Sequence, residues 1–114
     1  MGRALNKYEM EVLRRALSKA KAVDASVLVD AEAEDVAPAD RDWHHIRLRY
    51  NGIGWKGGGY SIIADWLAAD LDGRAIELLI LGDEMGRPYE VEIRRADLQP
   101  IGHLPPIEAW RDRS

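Results

Sequence analysis

Asp70-Leu71-Asp72-Gly73-Arg74-Ala75-Ile76-Glu77-Leu78-Leu79-Ile80-Leu81 is the stretch that decides the fold. In an Asp-Gly turn the glycine takes positive φ at little cost and the carboxylate accepts from local backbone N–H groups, so the pair predicts a reversal between two strands. Residues 75–81 are apolar apart from Glu77, as a central strand requires. Downstream, Gly82 to Pro88 reads as a hairpin loop, and residues 89–94 alternate Tyr89, Val91, Ile93 with Glu90, Glu92, Arg94. The pattern predicts an antiparallel meander over residues 60–95, turning at Asp72-Gly73.

Its first member is undecided by periodicity. Within residues 60–71, Ile62, Ile63, Trp66 and Leu67 would stripe a helix capped by Ser61 or fill a strand equally well. Further upstream, residues 44–50 alternate His44, Ile46, Leu48, Tyr50 against His45, Arg47, Arg49, predicting a half-buried strand. If this strand neighbours 89–94, Arg47 and Arg49 can pair with Glu90 and Glu92. Between it and residue 60, residues 51–59 hold five of the ten glycines and predict a loop. Residues 26–29 form a short β-branched run that predicts a strand. Asp30 to Asp42 is acidic, contains Pro38 and lacks either period, so it predicts a surface loop.

The chain opens with a predicted helix over about residues 7–21. Met10, Leu13, Ala16, Leu17 and Ala20 make its apolar stripe, and Asn6 with Glu9 makes a capping box. It closes with a proline-punctuated tail over 99–114, anchored by Leu104, Ile107 and Trp110. The expected fold is α+β: one domain over residues 1–114, with the N-terminal helix packed on an antiparallel β-meander of four to five strands.

Composition narrows the function classes. At 114 residues, 46% hydrophobic and 32% charged, the chain can bury a core without disulfides or a structural metal. It has no cysteine, so thiol catalysis and thiolate metal sites are excluded. The net charge of −4 argues against general nucleic-acid binding, and no apolar run is long enough to span a bilayer. With no signal peptide in the N-terminal residues, the expected location is the cytoplasm. Charge is unevenly spread: residues 1–21 carry six cations against two acids, residues 24–42 seven acids against Arg41, and the two segments should attract.

Candidate chemistry is sparse. Gly52-Ile53-Gly54-Trp55-Lys56-Gly57 matches G-x-G-x-x-G and offers a nucleotide-binding or small-enzyme alternative using the loop Gly52–Gly59. Against it, the preceding strand is charged on one face, and Gly57-Gly58-Gly59 opens no helix to hold a pyrophosphate. Asp70, Asp72 and Glu77 lack the spacing of a calcium loop. His44 and His45 point to opposite faces of one strand and cannot chelate one ion from it. No catalytic, cofactor or metal residue is assigned. Trp55, set among glycines beside Lys56, is the candidate partner anchor, and Asp30, Glu32, Glu34 and Asp35 form a candidate acidic contact surface.

The C-terminal half, Asp70-Leu71-Asp72-Gly73 followed by Gly86-Arg87-Pro88-Tyr89-Glu90-Val91-Glu92-Ile93-Arg94-Arg95-Ala96-Asp97-Leu98-Gln99-Pro100, resembles a small bacterial family of domains of unknown function. That family begins with a short helix and ends in a D-x-D-G…Y-E-x-E-I-x-R-x-D-L-x-P pattern. The resemblance implies a strand over residues 60–70, no established catalysis, and kinship with immunity or accessory proteins of bacterial conflict systems. The expected function is therefore a non-enzymatic protein-binding domain of that type. A homo-oligomer built through a free sheet edge is the further alternative.

Overall fold

The computed structural model describes residues 2–20, 23–36, 44–55, 57 and 61–113. One helix, α1 (Lys7–Ala20), precedes seven strands: β1 (Ala31–Asp35), β2 (His44–Tyr50), β3 (Ile53–Gly54), β4 (Ser61–Ala69), β5 (Ala75–Gly82), β6 (Pro88–Arg95) and β7 (Arg111–Asp112). Every pairing is antiparallel, in the order β1-β2-β6-β5-β4-β7, with β3 joined to β2. The fold is α+β as expected, with more strands than the four to five predicted.

The helix starts where its sequence says. Asn6 Oδ1 accepts from Glu9 N–H at 2.8 Å and Glu9 Oε1 accepts from Asn6 N–H at 2.9 Å, a reciprocal capping box. Its stripe, Val12, Leu13, Ala16 and Leu17, is buried with Ile46, Leu48, Ile76, Leu78, Ile80, Val91 and Ile93 in one core. These strand residues share a face because their register pairs Ile46 with Val91, Val91 with Ile80, and Ile93 with Leu78. Trp66 and Trp110 complete the core, and the tail is held by Tyr8, whose hydroxyl donates to Pro105 O and accepts from Trp110 Nε1.

The Asp72-Gly73 turn is as predicted: Gly73 has φ +86, and Asp72 Oδ1 accepts from Arg74 N–H at 3.0 Å. Ser61–Ala69 is a strand, which resolves the helix-or-strand ambiguity of residues 60–71. Two other readings are corrected. Residues 26–29 are not a strand but part of the 3₁₀ turn Ala25–Asp30, because Asp24 Oδ1 caps Ser26 N–H and closes the chain locally. The acidic loop over 30–42 is interrupted by β1: Ala31 and Ala33 pair with Tyr50 and Leu48 on the core side, and Glu32 and Glu34 with Arg49 and Arg47 on the other. The small size of alanine hid this period-2 pattern. The expected attraction between the basic and acidic N-terminal segments is realised in Arg3, which bonds Asp35 at 2.9 Å and also holds Glu9 of its own segment at 2.8 Å. Its backbone also bridges to Ala33 on the outer edge of β1.

A cleft where the sheet forks

The helix and the tail cover one face of the sheet. Among the described residues no helix covers the other, which carries His45, Arg47 and Arg49 on β2 and Glu90 and Glu92 on β6. Arg47 Nε donates to Glu90 at 3.0 Å as the alternation predicted, whereas Arg49 bonds Glu34 across the β1–β2 ladder. His45 lies between Glu90 and Glu92, at 3.2 and 3.8 Å.

At one end of this face the sheet splits. Asn51 (φ +54) and Gly52 (φ +76) both take left-handed backbone, the signature of a type I′ hairpin, and fold β3 back onto β2. Strand β1 occupies one edge of β2, so β3 shares the other edge with β6. Arg47 pairs with Glu90 of β6, Arg49 pairs with Gly54 of β3, and Leu48 stands at the branch. Opposite, the β5–β6 register slips between Leu81 and Gly82, which pair with Glu90 and Pro88, so that Tyr89 falls at the bulge. Tyr89 was expected beside Val91 and Ile93. Instead it stands outside the core cluster and stacks on Trp55, ring centroids 4.3 Å apart and planes inclined by 23°.

The fork opens a cleft of about 630 Å³, lined among others by Glu34, Arg47, Arg49, Trp55, Tyr89 and Glu90. That volume lies in the range of sites that bind small groups or side chains. Trp55 Nε1 donates to Glu84 at 2.8 Å, tying the indole to the β5–β6 turn. Gly54 and Gly57 also line the cleft, but Ser61 opens β4 instead of a helix, so the helix N-terminus of a dinucleotide site is absent from this position.

Of the candidate contact residues, the fold brings Trp55 and Glu34 together at the cleft. Glu32 is exposed on the same face, one rung along β1. Asp30 is exposed at the end of the 3₁₀ turn and outside the cleft lining, and Asp35 is turned to Arg3 on the helix side. Lys56 lies outside the described residues, as does Trp43. Sequence reading missed Arg47, Arg49, Glu90 and Tyr89 as members of one site. The Asn51-Gly52 pair was the available signal for the hairpin that gathers them.

Two further ionic clusters are structural. Glu9 is buried; burial opposes its charge, but hydrogen bonds from Arg3, His44 and Asn6 N–H outweigh this and hold its carboxyl well below the usual carboxylate range. Arg95 joins Asp70, Asp72 and Asp97, at 3.1, 3.0 and 2.7 Å. Asp70 also accepts from Gly102 and Leu71 N–H, which keep it ionised below the ordinary range. Asp70, Asp72, Arg95 and Asp97 thus meet at one corner and bind the tail to the β4–β5 turn. Among the described residues no group of three or more His, Asp or Glu could hold a metal ion, and no helix is long and apolar enough to cross a membrane. No protein-family model, no curated protein and no solved structure matches this chain.

Proposed function

We propose that this chain is a non-enzymatic protein-binding domain and that its contact surface is the helix-free face of the sheet, centred on the fork. The observation that carries this reading is the half-buried Trp55, which is held by Tyr89 on one side and Glu84 on the other and stands outside the core cluster. An aromatic side chain fixed beside a cleft loses little entropy on binding and suits an interface anchor. The charged groups around it, Glu34 with Arg49 and Arg47 with Glu90, form a polar rim. An immunity-type or accessory role, acting on one cognate protein, is the form of this reading that the sequence resemblance favours.

The test is affinity purification from the native host with wild-type chain and with Trp55→Ala, both first shown to be folded by circular dichroism. A partner retained by the wild type and lost by the variant is expected. Recovery of nothing above background, or of the same proteins by both, sinks the proposal.

A further inference from the structure

Arg47 and Arg49 bring more hydrogen-bond donors to the cleft wall than their carboxylate partners there engage. Arg47 spends only Nε, on Glu90, and its terminal nitrogens Nη1 and Nη2 donate to nothing among the described residues. It is also the most exposed of the four charged residues in the cleft wall, with 56% of its side chain accessible against 36% for Arg49, 33% for Glu34 and 21% for Glu90. Arg49 uses only Nη2, on Glu34. The carboxylates are less open than Arg47, each turning one oxygen to its arginine. The cleft therefore has spare donors in planar arrays and asks for an acceptor, and a guanidinium edge fits a carboxylate in bidentate fashion. Arg47 and Arg49 balance Glu34 and Glu90 in the same walls, and repulsion from the two glutamates weighs twice as heavily on a doubly charged phosphate as on a carboxylate.

Resting on the protein-binding reading above, we infer that the cleft accepts an Asp or Glu side chain of the partner on the terminal nitrogens of Arg47, with a neighbouring apolar side chain laid on Trp55. A side chain, as opposed to a chain end, suits a cleft that opens on a sheet face, where a folded partner approaches broadside.

The experiment uses isotope-labelled full-length chain, following the arginine Nε–H and tryptophan indole resonances. N-acetyl-Leu-Glu-amide is titrated to about 10 mM, a concentration that detects binding in the millimolar range. N-acetyl-Leu-Gln-amide, N-acetyl-leucine and inorganic phosphate are run in parallel. The expected result is saturable shifts at Arg47, Arg49 and Trp55 with the Glu peptide and affinity at least about tenfold lower for the Gln peptide. Arg47→Gln, which alters an exposed residue, should keep the melting temperature and lose about tenfold in affinity. Equal binding of the Glu and Gln peptides, shifts mapping elsewhere, an unaffected Arg47→Gln protein, or tighter binding of N-acetyl-leucine or phosphate overturns the inference. If the peptide fails while partner capture still depends on Trp55, the carboxylate chemistry falls and the binding face stands. If both fail, so does the reading beneath.

Discussion

Arg95 Nη1 donates to Asp70 Oδ2 at 3.1 Å, joining the end of β6 to the turn between β4 and β5 across 25 residues of sequence. Asp70 is buried and also receives Leu71 and Gly102 N–H, whereas Asp72, on the same arginine, is half exposed. Removing Asp70 strands three donors at once. Asp70→Ala is expected to lower the thermal midpoint clearly more than Asp72→Ala, measured by circular dichroism; equal effects would refute this ordering.

Acid should expose the role of Glu9. Its folded-state pKa lies below its ordinary value of 4.5, so its contribution to stability is complete above that pH and is lost as pH falls below it toward the folded value. Asp35 and Asp97, each depressed by hydrogen bonds from an arginine, act in the same direction. Urea midpoints should therefore drop between pH 5 and pH 3 for the wild type, and Glu9→Gln should show a lower midpoint at neutral pH with a shallower acid slope.

The capping box offers a smaller, local effect. Asn6→Ala deletes the side-chain acceptor for Glu9 N–H and should cost about 1 kcal/mol in chemical denaturation, without changing the slope of the transition.

Gly52 sits at φ +76 with nothing close to where a Cβ would be, so Gly52→Ala tests backbone conformation alone. A cost of roughly 1 kcal/mol is expected from the left-handed conformation. The Trp55 indole resonance should move as well, because the hairpin that places Trp55 is the one being strained.

Two tryptophans should behave oppositely. Trp110 is 2% exposed and fills the core, so Trp110→Ala should cost about 3–5 kcal/mol. Trp55 loses one ring contact and one exposed hydrogen bond, and Trp55→Ala should cost about 1 kcal/mol. A Trp55 variant as unstable as the Trp110 variant would mean that Trp55 is a core residue.

Much of the fold was legible because local chemistry and burial agree. The Asp72-Gly73 turn, the capping box and the stripe Leu13, Ala16, Leu17 each state one conformation. The strand β1 escaped notice because Ala31 and Ala33 are weak apolar signals between acids, and they matter only once Leu48 and Tyr50 lie opposite. Residues 26–29 read as a strand from their branched side chains, but a single Asp24 cap overrode that propensity. The cleft was half visible: Trp55 and Glu34 were nominated for separate reasons. Their meeting depends on the pairing of β1 and β3 with β2, and the ring that Trp55 stacks on is set by the bulge at Tyr89, a mismatch between two strands with no signature in either one alone.

The branch at Leu48 has a mechanical meaning. One wall of the cleft hangs from the β2–β6 ladder and the other from the β2–β3 ladder, while the Leu48 side chain is pinned in the core beneath both. Strand β1 pairs with β2 on both sides of Leu48 without a break, so the opposite edge ties the two walls into one unit. The ring contact between Trp55 and Tyr89 joins one wall to the other, so the width of the gap is fixed by a single stacked pair.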